Sequence, residues 1–176
     1  AGSSSRLGTM KQLVRYQDKT LLERQVEEVL PSVEHVVVVL GYQASIIPKI
    51  NNKKVTYIVN ENWQQGLSSS IVAALSKLPV QTTHIMLLLS DQWKISTADC
   101  RQIIGLAEEQ GEAIIAAEKK IENKRLFSPP VVMPRRYFDE LKTITGEGGA
   151  KSIIQKHKAN VVFITMPNAF ADIDTP

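Results

Sequence analysis

The sequence predicts an α/β fold with a largely parallel sheet covered by helices on both faces. Two observations carry this. Five short aliphatic runs recur along the chain and stay apolar almost throughout, as strands covered on both faces require. Helical patterns with start signals lie between them. The expected strands are His35–Leu40, Val55–Val59, His84–Leu89, Ala113–Ala117 and Asn160–Thr165.

The helices follow in order. Thr20-Leu21-Leu22-Glu23 fits a capping box, with Leu22, Val26, Val29 and Leu30 on one face and Pro31 as the stop. Ser68-Ser69-Ser70 precedes Ile71, Val72, Leu75 and Leu78, and Pro79 stops that run. Ser96-Thr97-Ala98-Asp99 is a second capping box, opening a helix that ends near Gly111. Further helices are expected over Arg135–Lys142 and Gly149–His157, with loops at Pro129-Pro130 and Gly146–Gly149.

At 176 residues the chain fits one domain, residues 1–176, without linker or internal repeat. The single Cys excludes an intramolecular disulfide and a multi-cysteine metal site, and a cytoplasmic protein is the default. Net charge is +3, and no basic run reaches five residues; Lys53-Lys54, Lys119-Lys120 and Arg135-Arg136 read as solvated faces, so no nucleic-acid partner is expected. No apolar run approaches the roughly 18 residues of a membrane helix, so no membrane partner is expected either.

In such a sheet, ligands bind beyond the carboxyl ends of the strands. That directs attention to Gly41-Tyr42, Asn60, Ser90-Asp91-Gln92 and Glu118-Lys119. The loop Gly2-Ser3-Ser4-Ser5-Arg6-Leu7-Gly8-Thr9-Met10-Lys11 combines small residues with two cations, which suits an anion such as a phosphate. A plain flexible terminus has the same composition. Asp91 offers a hard oxygen of the kind Mg²⁺ takes, or is a turn residue. Asp172 and Asp174 could bring a second carboxylate near Asp91, or form an Asp/Pro turn before a helix with Thr175 as its cap. Gly66-Leu67-Ser68-Ser69-Ser70 opens a helix whose free N–H groups and hydroxyls suit a ribose or base, beyond ordinary capping.

Other residues point to structure rather than chemistry. His35, His84 and His157 lack metal-ligand spacing, Cys100 reads as a packed small residue, and no G-x-S-x-G elbow is present. Trp63 and Trp93 follow strand ends, where they could stack on a base or simply pack at the rim.

These pieces occur in a familiar order. The segments A-G-S-S-S-R-L-G-T-M-K-Q-L, T-L-L-E-R-Q-V, V-V-V-V-L-G, V-N-E-N-W-Q-Q-G-L-S-S-S-I, L-L-L-S-D-Q, T-G-E-G-G-A-K and D-I-D-T-P span nearly the whole chain. Together they resemble the nucleotidyltransferases of molybdenum cofactor biosynthesis, and most of all the cytidylyltransferase branch. The resemblance implies a Rossmann-like three-layer nucleotidyltransferase (GT-A-like) fold. It implies transfer of CMP from CTP to the terminal phosphate of a pterin cofactor, molybdopterin, with release of pyrophosphate. By the same analogy, Ala1, Gly2, Ser3, Ser4, Ser5, Arg6 and Lys11 cradle the triphosphate, with Arg6 and Lys11 countering its charge. Asp91 and Asp174 hold Mg²⁺, while Asn60, Gly66, Ser68 and Ser69 line the nucleoside.

Ala1 before Gly2, T-L-L-E and S-D-Q favour CTP over GTP. A guanylyltransferase of the same pathway, and a non-catalytic chaperone that holds the cofactor for a molybdoenzyme, are the alternatives. Trp93 stands where the family usually has Pro, and Ser128-Pro129-Pro130 where it has Gly-His-Pro. The resemblance also implies a central strand before the Gly2–Lys11 loop and a closing helix after D-I-D-T-P, so the 176 residues are expected to be a trimmed view of a longer chain.

Overall fold

A computed structural model describes residues 13–16, 18–122 and 124–171. The expected phosphate loop Gly2–Lys11, with Ala1 before it, and Asp172 and Asp174 lie outside the described residues. A short antiparallel hairpin, β1 (Arg15–Tyr16) with β2 (Lys19–Thr20), leads into α1 (Leu21–Val29). The first capping box forms as expected: Glu23 N–H donates to Thr20 Oγ1 at 3.2 Å, and Thr20 N–H donates to the Glu23 carboxylate at 2.8 Å. The Thr20 N–H and hydroxyl hold the Glu23 carboxyl below its ordinary value.

Strands β3 (Val36–Leu40) and β4 (Val55–Val59) pair in parallel and are followed by α2 (Leu67–Leu75). Next come β5 (His84–Leu87) and α3 (Thr97–Gln110). The second capping box closes α3, with Ser96 N–H donating to Asp99 Oδ2 at 2.9 Å. The chain continues through β6 (Ile114–Ile121), β7 (Lys124–Pro134), α4 (Phe138–Leu141), α5 (Lys151–Lys156) and β8 (Val161–Thr165).

Parallel pairing, expected to dominate the sheet, joins β3 to β4 and β6 to β8. One reading is corrected. Pro129-Pro130 does not mark a loop but lies inside β7, which pairs antiparallel with both β5 and β6. The register shows how: Ala116 faces Val131 and Ala117 faces Ser128, so both prolines sit in a bulge where no ladder N–H is required. The helix expected over Arg135–Lys142 is a 3-10 turn (Arg135–Tyr137) followed by α4, and the last expected helix shortens to α5.

The layers follow from the alternation of side chains along the central strands. Ile114, Ala116, Val131 and Met133 face a core shared with Ile71 of α2, Leu141 of α4 and Ile153 of α5. Ile115, Ala117 and Val132 face the other way, against Cys100, Ile103 and Ala107 of α3. A third, smaller core joins Leu22 and Val26 of α1 to Val38 and Leu40 of β3.

Among the described residues, β3 and β5 each have one partner strand. Between them runs a slot of about 910 Å³, walled by residues of both strands, with α1 and α2 also lining it. Gln25 of α1 lines this slot, and both polar atoms of its buried amide lack a hydrogen-bond partner.

Candidate active site

The site is set by strand direction. β5 and β6 each run antiparallel to β7, so they run parallel to one another, and β8 runs parallel to β6. The turn after β5 and the turn after β8 therefore fall at one edge of the sheet. Asp91 sits in the first of these turns, half-buried, one residue before Gln92.

Gln92 joins the two turns. Its side-chain oxygen accepts the Leu89 N–H at 3.1 Å. Its nitrogen donates to the carbonyls of Pro129 in β7 and of Ala169 in the 3-10 turn Pro167–Phe170, the latter at 2.7 Å. Sequence reasoning noted Gln92 only as a neighbour of Asp91. The signal that could have found it is its type: a planar amide with one acceptor and two donors, directly after a buried strand.

On the opposite side, Asn60 follows β4 and is 5% exposed. Its amide donates to Ser69 Oγ at 2.8 Å and Ser70 Oγ at 3.1 Å, and its oxygen accepts the Asn62 N–H at 3.0 Å. Ser69 Oγ in turn donates toward the Gly66 carbonyl at 2.8 Å. Asn60, Gly66 and Ser69 are thus one hydrogen-bonded unit linking the end of β4 to the start of α2.

Two of the N–H groups opening α2 are engaged. Ser68 N–H donates to the Gly146 carbonyl at 3.1 Å, and Ser69 N–H donates to the Gly66 carbonyl at 3.2 Å. Ser68 is fully buried, and its hydroxyl has no hydrogen-bond partner among the described residues. Gly66 has φ +96°, and a Cβ there would stand 2.5 Å from the Gly146 carbonyl carbon. This contact brings the V-N-E-N-W-Q-Q-G-L-S-S-S and T-G-E-G-G-A-K segments together, and only glycine permits it.

The other polar and aromatic residues noted in the sequence have partners within the protein. His35 Nε2 lies 2.9 Å from Thr56 Oγ1, His84 Nε2 3.2 Å from the Gly111 carbonyl, and His157 Nε2 2.8 Å from Glu140. Burial, followed by the neighbouring Asp99, pushes the Cys100 thiol up to about 11, which suits packing rather than nucleophilic attack. Glu118, largely buried on β6, ion-pairs with Arg125 at 2.6 Å, and the Arg125 guanidinium lies over the Phe163 ring at 4.3 Å. Trp63 packs edge-on against Tyr42 with ring centroids 5.5 Å apart, and Lys94 lies over the Trp93 ring.

The donor set can be tested against a metal. Among the described residues no group of three or more His, Cys, Asp and Glu could hold an ion. The Asp91 carboxylate offers hard oxygens of the kind taken by a cation such as Mg²⁺, which draws most of its shell from water and substrate phosphates.

The layered sheet, with Asp91 and Gln92 after β5 and Asn60 after β4, places this chain among α/β proteins whose polar residues gather at strand ends. More specifically, the chain belongs to the MobA-like NTP transferase domain family, whose profile matches residues 1–161. It is 27% identical over 162 residues to nicotine blue oxidoreductase of Paenarthrobacter nicotinovorans, covering 89% of this chain and 78% of that protein. It is 29% identical over 111 residues to molybdenum cofactor cytidylyltransferase of Escherichia coli K12, covering 62% of this chain and 57% of that one.

Among solved structures, Rv0371c of Mycobacterium tuberculosis H37Rv superposes with a TM-score of 0.79 at 25% identity, over 94% of this chain and 84% of that one. A nucleotidyl transferase from Methanothermobacter superposes at 0.75 with 20% identity, over 97% and 83% of the two chains. A manganese complex of Rv0371c superposes at 0.72 with 21% identity, over 90% and 83%. The fold is the Rossmann-like α/β architecture of nucleotidyltransferases, and the protein is a nucleotidyltransferase enzyme.

Proposed function

We propose that this nucleotidyltransferase transfers CMP from CTP to the terminal phosphate of a pterin cofactor, molybdopterin, in a divalent-cation-dependent reaction. An acceptor phosphate oxygen bonds to the α-phosphorus of CTP. The bond from that phosphorus to the β-phosphate's bridging oxygen breaks, and pyrophosphate leaves. Such transfer asks the protein for positioning and charge neutralisation more than covalent chemistry.

The observation that carries this reading is the placement of Asp91, at the strand-end edge and tied through Gln92 to the turn that leads toward Asp172 and Asp174. The resemblance to the cytidylyltransferase supports the choice of nucleotide and acceptor. In this reading Asp91 and Asp174 hold the metal. A bound divalent cation, Mg²⁺ by preference, neutralises and orients the phosphates. Ala1 to Ser5 cradle the triphosphate, and Arg6 and Lys11 offset its charge. Asn60, Gly66 and Ser69 form the wall along the nucleoside, with buried Ser68 supporting it from behind.

Incubation with CTP, Mg²⁺ and molybdopterin should release pyrophosphate, faster than with GTP, and Asp91→Ala should abolish release. Turnover by Asp91→Ala near the wild-type rate would refute the metal role. Faster release from GTP would reassign the protein as a guanylyltransferase. Tight binding of nucleotide and pterin without pyrophosphate would make it a holder of cofactor for a molybdoenzyme.

We further propose that the slot between β3 and β5 seats an extended apolar strand of the same polypeptide, leading into the Gly2–Lys11 loop. Among the described residues, β3 and β5 each have one partner strand and the Gln25 amide has no hydrogen-bond partner, which supports this. Fusing about six alternating Val and Ala residues ahead of Ala1 should raise the melting temperature, and a Ser/Asn fusion of equal length should not. Equal effects from the two fusions would sink the idea.

A further inference from the structure

We infer that Lys120 and Arg125, which face each other across the β6–β7 hairpin beside the buried Glu118 carboxylate, form a subsite that takes a phosphate group of the acceptor substrate. The inference rests on the reading of this sheet edge as the site of nucleotidyl transfer.

The backbone places the pair. β5 and β6 run parallel, so the end of β6 lies at the sheet edge that carries Asp91. β7 is laddered to β5 only from Val131 to Pro134, and β6 to β8 only from Ile114 to Glu118. Lys120 and Arg125 lie outside both ladders, on a two-stranded stretch that projects past the edge. They are direct cross-strand partners, and Glu118 with Phe127 is the next pair on the same face.

Like charges set directly opposite each other destabilise a sheet, so this arrangement needs compensation. Glu118 supplies it. Its side chain is 5% exposed, with one oxygen 2.6 Å from Arg125 Nε and the other 3.5 Å from Lys120 Nζ. One carboxylate against two cations leaves positive charge in excess. The cations themselves reach solvent, with side chains 45% exposed at Arg125 and 63% at Lys120. Lys119 and Lys124, on the opposite face of the hairpin, add to the field that draws an anion.

Arg125 is also held in one orientation. Its guanidinium lies over the Phe163 ring at 4.3 Å, and Phe163 packs against Phe127 with ring centroids 6.3 Å apart. Its Nε faces Glu118, and among the described residues neither terminal Nη has a hydrogen-bond partner. A planar fork fixed at its root and open at its tip, with an ammonium across from it, presents donors from two directions. That suits the three terminal oxygens of a phosphomonoester better than the two of a carboxylate.

The test follows the Arg125 side-chain Nε–H by nuclear magnetic resonance on the full chain, with inorganic phosphate and then phenyl phosphate as probes. Both should shift it, and saturating CTP should leave the shift in place. Absence of a shift, or its loss when CTP is added, overturns the inference, the latter because the group would then serve the nucleotide.

Two variants give the kinetic arm. Removing the guanidinium outright would leave Glu118 buried without its countercharge, so Arg125→Lys is used, which keeps the charge and loses the fork. It should raise the acceptor KM by about tenfold or more with the CTP KM unchanged. Lys120→Met alters a mostly exposed side chain, leaves the fold intact, and should weaken phosphate binding by about tenfold. A purely structural role would lower the melting temperature while phosphate affinity and acceptor KM stay at wild-type values, and that result overturns the inference. Pyrophosphate release by wild type with the acceptor KM unmoved in both variants overturns this inference alone. Phosphate binding that both variants weaken, in a wild-type protein that releases no pyrophosphate, sinks the transfer reading and leaves the anion subsite standing.

Discussion

The half built on β5, β7, β6 and β8 and the half built on β3 and β4 are held together differently. In the four-stranded half, β6 and β7 are each flanked on both edges, and side chains from both faces enter cores. Ile103, Ile114, Ile115, Met133, Leu141 and Ile153 there are almost wholly removed from water. In the two-stranded half, one face of β3 packs on α1, and the last residue of β4, Val59, is 58% exposed. The comparison teaches that the thicker half carries the proposed metal ligand Asp91, while the proposed nucleoside wall at Asn60 hangs from the thinner half and is steadied by local hydrogen bonds.

Matched truncations test that contrast most strongly. Leu141→Ala in the thick half should cost about 4–5 kcal/mol, and Leu40→Ala in the thin half about 2 kcal/mol, the upper and lower ends of the range for this change. Leu141 sits among tightly interlocked neighbours with little freedom to collapse, whereas Leu40 lies in the smaller core near the slot. Chemical denaturation of both variants measures this, and equal losses would break the comparison.

Gly66→Ala comes next. The residue has positive φ, and its new Cβ would collide with the Gly146 backbone, so the contact beside the proposed nucleoside wall must open. Strain of about 1–3 kcal/mol is expected, together with weaker CTP binding by calorimetry. Unchanged CTP affinity in this variant would show that the Gly66–Gly146 contact is not what holds the wall.

The smallest effect concerns acid. The Glu23 carboxyl is held low in the folded protein by the Thr20 N–H and hydroxyl. A group of this sign stabilises fully above its ordinary value of 4.5, and the contribution is lost as pH falls through the lower folded value. Glu23→Gln should therefore destabilise at neutral pH, and the gap to wild type should close in more acid solution. A gap that stays constant from pH 7 to well below the ordinary carboxyl value would contradict the capping role. Its effect should concentrate in the thin half, where α1 packs.

Much of this arrangement was legible in the residues. Both capping boxes could be read because they are exchanges between positions three apart, complete within one turn of helix. The five apolar runs became strands because short β-branched and aliphatic stretches bounded by turn residues fit a pleated, partly covered sheet. The placement of Asp91 and Asn60 at strand ends followed from the same alternation. β7 was not legible. Pro129 and Pro130 read as chain breakers, and only the bulge against Ala116 and Ala117 makes them compatible with a strand.

The amino-acid sequence by itself determined the α/β class, the order of elements, both capped helices, and the segments from which a nucleotide site could be assembled, because each depends on neighbours within a few residues. Tertiary structure alone decided that an antiparallel strand lies between β5 and β6, that Gly66 must meet Gly146, and that Gln92 spans from Leu89 to Ala169. Those are contacts between residues far apart in the chain, and no local periodicity records which distant carbonyl a buried amide will find.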